Sequence, residues 1–143
     1  MKKQKIMQQT LSIIKPDAVS KNVIGKIYTL FEEKNFKITK AKMCKMSISQ
    51  ASKFYSIHKD KPFFRELIEF MSSGPIMVQI LEGHDIIKKN RQLMGNTNPK
   101  DSNPGTIRFE YGENITKNAV HGSDSYENSK KEISLFSNQL NLF

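Results

Sequence analysis

Residues 76–81, Ile-Met-Val-Gln-Ile-Leu, form a nearly continuous apolar run set between turn residues. Such a run is expected of a central strand buried on both faces. Towards the start of the chain, Gly74-Pro75 ends a helix carried by Phe63, Phe64, Leu67, Ile68 and Met71, and Lys61-Pro62 separates it from an earlier one. That earlier helix opens at Ser47, with Gln50 three residues on as a capping box, and places Ala51, Phe54, Tyr55 and His58 on one stripe. The two make a helical hairpin in which His58 reads as a packing residue. Phe36 to Met46 mixes Ile38, Thr39, Met43 and Cys44 with Lys37, Lys40, Lys42 and Lys45, the pattern of a lysine-guarded edge strand. Ile24, Ile27, Tyr28 and Phe31 repeat at helical spacing, and Asn35 ends that helix. Thr10 to Ile14 is a β-prone run that stops at Lys15-Pro16-Asp17, where proline closes a strand and opens a helix. Residues 1–9 are polar and basic, a frayed start.

Beyond the central run, Asp85 is placed to cap a helix that packs Ile86, Ile87, Asn90, Leu93 and Met94 inward, with Gly95 as its stop. Arg91 lies off that stripe. From Gly95 to Gly112 the pattern loses its period, and a structureless excursion of this length inside a compact domain is more often functional than idle. Ala119-Val120 is a fragment of a fourth strand, His121 stands at its end beside a Gly-Ser-Asp-Ser turn, and Tyr126, Ile133 and Phe136 mark the stripe of a last helix. The order gives an α+β plan, βαββαβ with extra helices. It predicts a small, mostly antiparallel four-stranded sheet covered by helices on one side, in a single domain over 1–143.

Composition narrows the function classes. The sequence has 143 residues, 37% hydrophobic, without a long apolar run, so no membrane span is expected. One cysteine, Cys44, excludes an intramolecular disulfide and a four-ligand cysteine-rich zinc site, and a reducing cytoplasm is the expected compartment. The net charge of +9 lies in the first part of the chain, where residues 1–61 carry 14 Lys against 4 acids. It lacks the glycine and aromatic interleaving of an RNA-binding sheet, so it reads as a solvated lysine-rich surface with no specific nucleic acid as partner.

The chemistry-bearing side chains fall at strand ends and loops: Lys15, Arg91, Thr97, Arg108, Asn118 and His121. A lysine, two arginines and a threonine around one histidine suit phosphate better than a metal, because guanidinium forks match phosphate oxygens. No GxxxxGK[ST] loop or GxGxxG fingerprint is present, so side chains must do the cradling. Imidazole is suited to nucleophilic work near neutral pH, and Asn118, Ser123 and Asp124 are neighbours able to fix which ring nitrogen is free. Taken alone, a histidine before such a turn is ambiguous. A histidine phosphatase would carry arginine where Val120 stands, and HGSDS lacks the second glycine of a serine-hydrolase elbow at Ser123.

An ordered set of motifs removes the ambiguity: TLSIIKPDAV from Thr10, Phe54-Tyr55 followed by KPFF at 61–64, SGP at 73–75, GNTNP at 95–99, PGTIR at 104–108 and NAVHGSDS at 118–125. In that order and spacing the sequence resembles the nucleoside diphosphate kinase family from about Thr10 to Phe136. The resemblance implies a ferredoxin-like fold and a ping-pong exchange in which His121 carries the γ-phosphoryl group from a nucleoside triphosphate, ATP mainly, to a nucleoside diphosphate. It assigns Glu132, with Ser123, to hold the other ring nitrogen. It assigns Lys15, Tyr55, Arg91, Thr97, Arg108 and Asn118 to phosphates and sugar, and Phe63 to base stacking opposite Ile115. Mg2+ is expected on the nucleotide phosphates, with Asp124 an outer partner through water. Phe109-Glu110-Tyr111 departs from the family's small residue, Asp and aromatic, in a region of subunit packing. The resemblance to short bacterial members implies a homo-oligomer, a tetramer rather than a hexamer. The alternative is a basic nucleic-acid-binding or regulatory protein that kept this fold without needing a complete phosphate set.

Overall fold

A computed structural model describes residues 7–143. Strand β1 (Met7–Ile14) hands over at Lys15 to helix α1 (Pro16–Ser20), whose first position suits proline because an amide there has no helical partner. Helix α2 (Ile24–Glu33) follows, and Asn35, left-handed at φ 61°, turns the chain into β2 (Lys37–Cys44). Ser47 opens α3 (Ile48–Phe54) with the expected capping box: its hydroxyl accepts from the Gln50 N–H at 3.0 Å, and Gln50 Oε1 accepts from the Ser47 N–H at 2.9 Å. The helix stops short of its apolar stripe, and Ser56–His58 form a 3-10 turn instead. Helix α4 (Phe64–Met71), β3 (Ile76–His84) and α5 (Ile86–Met94) come next, and Gly95 at φ 89° ends α5 in a conformation that side chains other than glycine rarely adopt. Helix α6 (Ile107–Tyr111), β4 (Val120–Gly122) and α7 (Tyr126–Ser134) complete the described chain, the last continuing into a π-helical turn at Leu135–Gln139.

The sheet order is β2-β3-β1-β4, with every pairing antiparallel. The IMVQIL run therefore lies inside the sheet, with Ile14 opposite Met77 on one neighbour and Cys44 opposite Ile76 on the other. The α+β plan read from the sequence is the observed one, with a different covering. Both sheet faces carry a core. Ile14 and Leu81 point to one, closed by Ile27 and Phe31 of α2 and by Ile86 and Met94 of α5. Leu11, Ile13, Ile76 and Val78 point to the other, closed by Ala51 and Phe54 of α3, Leu67 and Met71 of α4, and Phe136, Leu140 and Leu142. Helices on one side only would leave the second face wet, and both central strands carry buried apolar residues on both sides.

Four local expectations are also corrected. Of the frayed start, residues 1–6 lie outside the described residues, while Met7, Gln8 and Gln9 belong to β1 and pair with His84, Gly83 and Glu82. Asp85 stands at the N-cap of α5, but its backbone is left-handed at φ 51° and its side chain makes no capping bond. The excursion from Gly95 to Gly112 holds a 3-10 turn at Pro99–Asp101 and helix α6, which Thr106 caps by accepting from the Phe109 N–H at 3.4 Å. Tyr126 leaves the stripe of α7 and is exposed. No helix among the described residues is long and apolar enough to cross a membrane.

Candidate active site

Strand alternation positions the site. In β4, Val120 and Gly122 face α5, and His121 between them faces the opposite side, with Ile13 of β1 as its cross-strand partner. The sequence placed His121 at the end of a strand; it stands in the middle of one. Gly122 is required by the close approach of α5, since a Cβ there would lie 2.5 Å from Asn90 Nδ2 and 2.5 Å from Met94 Sδ. On its own side the imidazole meets Phe54 edge-on, ring centroids 5.3 Å apart, and Tyr55 at 6.0 Å. Two aromatic edges and a strand thus hold the ring in place.

Its chemistry is set by α7. His121 Nε2 lies 2.9 Å from Glu132 Oε1, and the Ser123 hydroxyl donates to that same oxygen at 2.7 Å. A carboxylate accepts, so the neutral ring keeps its proton on Nε2 and leaves the Nδ1 lone pair free. Ser123, fully buried, also accepts from the Leu11 N–H at 3.3 Å. The partner of the ring is therefore Glu132, and Ser123 acts on the carboxylate rather than on the imidazole. Asp124 makes no bond to the ring and accepts from Asn128 Nδ2 at 2.6 Å.

A cleft of about 360 Å³ opens at His121, within the range of small-molecule sites. Lys15, Arg91, Thr97, Arg108 and Asn118 all reach it, brought together from the end of β1, from α5, from α6 and from the loops around them. Tyr55, Phe63 and Ile115 line it as well, with Asp124 and Glu132. Ser123 does not. His58, read as a packing residue, is among the lining groups, and so are Leu67, Thr116 and Asn128. The spacing of His58 from Tyr55 pointed the right way for a helix that stops earlier. Asn128, one turn before Glu132, carried a helical signal; Thr116 carried none.

The approach to His121 is held by β1 and α1. Ala119 is left-handed at φ 74°, an unusual conformation for a residue with a Cβ. Its N–H donates to Asp17 Oδ2 at 3.0 Å and its carbonyl accepts from the Lys15 N–H at 2.8 Å. Lys15 Nζ in turn donates to Asn118 Oδ1 at 2.8 Å, and Asn118 Nδ2 donates to the carbonyls of Thr97 at 3.0 Å and Ile115 at 3.1 Å. Arg108 is buried and donates to the carbonyls of Gly95 at 3.2 Å and Val120 at 2.9 Å.

The electrostatics is that of an anion site. Burial, then the charge of Arg108, pull the Lys15 ammonium down to about 7, with Asp17 opposing. Burial, then Arg91, bring Arg108 to about 10, so it stays charged at neutral pH. Burial, then Glu132, push the Tyr55 phenol well above its usual range. Tyr55 Oη and Arg108 Nε are buried without a partner, and such groups are satisfied when an acceptor enters. Among the described residues no cluster of three or more His, Cys, Asp or Glu could chelate a metal. Asp124 is the exposed carboxylate at the cleft, a donor set that fits a cation carried mainly by an anionic ligand.

The chain is similar to known proteins in sequence and in fold. A family model described as nucleoside diphosphate kinase matches residues 8–142. A nucleoside diphosphate kinase of Coxiella burnetii (strain CbuK_Q154) is 57% identical over 130 residues, covering 91% of this chain and 94% of that protein. The crystal structure of the Aquifex aeolicus nucleoside diphosphate kinase superposes with a TM-score of 0.90 at 41% identity, over 92% of this chain and 95% of that one. The structure of a halophilic nucleoside diphosphate kinase from Halobacterium salinarum in complex with CDP gives 0.87 at 39% identity, over 92% of this chain and 88% of that one.

Proposed function

Because the chain belongs to the nucleoside diphosphate kinase family, we propose that His121 is the residue through which it moves the γ-phosphoryl group of a nucleoside triphosphate to a nucleoside diphosphate. The observation that carries this assignment is the bond from His121 Nε2 to Glu132 Oε1 at 2.9 Å, inside a cleft that also gathers Lys15, Arg91 and Arg108. Nδ1 attacks the γ-phosphorus, the bond to the β-phosphate oxygen breaks, and the diphosphate leaves with that electron pair. The same path run backwards, from a β-phosphate oxygen of the second diphosphate, regenerates the free ring. Glu132 holds the Nε2 proton throughout and balances positive charge on the ring as Nδ1 bonds to phosphorus.

Lys15, Arg91, Arg108 and Tyr55 would grip the phosphates, with the partnerless Arg108 Nε and Tyr55 Oη as ready donors. Thr97 and Asn118 would meet phosphate and sugar, while Phe63, 42% exposed, and Ile115, 61% exposed, form the two walls for the base. A base gripped by its π face is tolerated whatever its identity. Mg2+, held by the nucleotide's own phosphates with Asp124 outside it, would offset their charge. The proposed assembly is a homotetramer, in line with exposed apolar side chains at Met43, Ile48 and Phe109.

Incubation with γ-labelled ATP is expected to give an acid-labile, alkali-stable phosphoprotein. Persistence of that label in His121→Ala would overturn the assignment of the carrier.

A further inference from the structure

The roles proposed above leave Asp17 unassigned, although it is buried and its side chain reaches across the fold to the residue before the histidine strand. That residue, Ala119, stands left-handed at φ 74°, and around it the Val120 N–H donates to the Asn118 carbonyl at 2.9 Å. A three-residue turn closed about a positive φ is the rare, strained form, and an alanine left to itself takes a negative φ. The turn must therefore be held from outside. Both polar backbone groups of Ala119 are taken up by the Lys15-Pro16-Asp17 corner: its carbonyl accepts from the Lys15 N–H at 2.8 Å, and its N–H donates to Asp17 Oδ2 at 3.0 Å. Asp17 Oδ1 is buried without a hydrogen-bond partner among the described residues. A buried carboxylate kept half-satisfied while it holds one distant N–H calls for a reason. Placement in the first turn of the five-residue helix α1 does not supply one, because an acid there acts equally well from the surface.

We propose that Asp17 is a positioning residue for His121: its carboxylate locks the turn at Ala119, and that turn sets the direction in which the imidazole leaves the sheet. This rests on the phosphoryl-exchange reading and adds to it a residue that does not line the cleft. Strand β4 has three residues and pairs with β1 at Ser12, Ile13 and Ile14, so it has few bonds of its own to resist a rotation of the peptide before it. Release of Ala119 to a negative φ swings that peptide and draws His121 Nε2 away from Glu132 Oε1. A displacement of about 1 Å at a reacting atom costs about a hundredfold in rate. Arg91 and Arg108 reach the cleft from α5 and α6, so the loss falls on the chemical step and spares most of the affinity.

Two uncharged variants separate the hydrogen bond from the charge. Asp17→Asn keeps an acceptor for the Ala119 N–H, whereas Asp17→Leu keeps the volume without one. In single turnover with saturating ATP, Asp17→Asn is expected to phosphorylate His121 at close to the parent rate and Asp17→Leu at least about tenfold more slowly, with Kd for ADP alike in the two. Equal rates for the two variants overturn the proposal, and so does a difference confined to Kd. Where Asp17→Leu does not fold, Asp17→Asn decides: a rate about tenfold below the parent at an unchanged urea midpoint overturns the proposal. The 15N signals of the His121 ring report the same aim without nucleotide. A fixed Nε2–H tautomer is expected in the parent and in Asp17→Asn, and a mixture of tautomers in Asp17→Leu; a fixed tautomer in all three overturns the proposal. Absence of phosphohistidine in the parent sinks the exchange reading, while the ring signals still decide the role of Asp17.

Discussion

At the scale of single residues, the group with the most consequential environment is Lys15. Burial and Arg108 hold it at about 7 in the free protein, whereas a lysine in an unfolded chain titrates near about 10.4. Between those values the unfolded chain binds one more proton than the folded one, so this group's contribution to stability rises with pH across the window. Its penalty is fully present below about 7. A phosphate beside the ammonium favours the charged form, so nucleotide binding above that pH must take up a proton. Calorimetric titration with ADP at pH 8, in two buffers of different ionisation enthalpy, is expected to show uptake approaching one proton, and Lys15→Met should lack it. Equal uptake by the two proteins contradicts the linkage. Nothing in the sequence announced this shift. The Lys15-Pro16 junction told where the lysine sits along the chain, but its depth depends on Arg108 and Asn118, more than ninety positions away.

At the scale of elements, legibility followed local chemistry. The capping box at Ser47 and Gln50 was readable because both bonds lie within four residues. Helix α6 was not, because five residues hold too little of a 3.6-residue period to register, and buried Ile107 and Arg108 fix it by tertiary contact. The position of His121 within β4 escaped for a related reason. A three-residue strand is defined by its partner β1 rather than by its own sequence. Gly122 shows how much depends on that partner and on α5. In Gly122→Ala the new methyl meets Asn90 and Met94, both buried, so those side chains or α5 itself must shift. A loss of about 1–3 kcal/mol is expected, seen as a lower urea midpoint at unchanged m-value. A midpoint equal to that of the parent would show that the two side chains yield.

At the scale of the whole molecule, the two-faced covering of the sheet was present in the text of β1 and β3, where Leu11 and Ile13 point one way and Ile14 and Leu81 the other. Only the three-dimensional partners of Phe136, Leu140 and Leu142 show what fills the second face. The proposed tetramer predicts a mass by light scattering of four times 16.5 kDa. A mass of one chain would leave Met43, Ile48 and Phe109 facing water and would overturn that assembly. The most extended consequence belongs to Asn118. One side-chain amide joins Lys15 from the first strand to the carbonyls of Thr97 and Ile115 from two separate loops, so the width of the cleft is set by a single three-way knot tied when the chain folds. The entropy of arranging those loops is lost on folding and not on each encounter with a ligand. A cleft of fixed width can then fill and empty many times without remaking its walls.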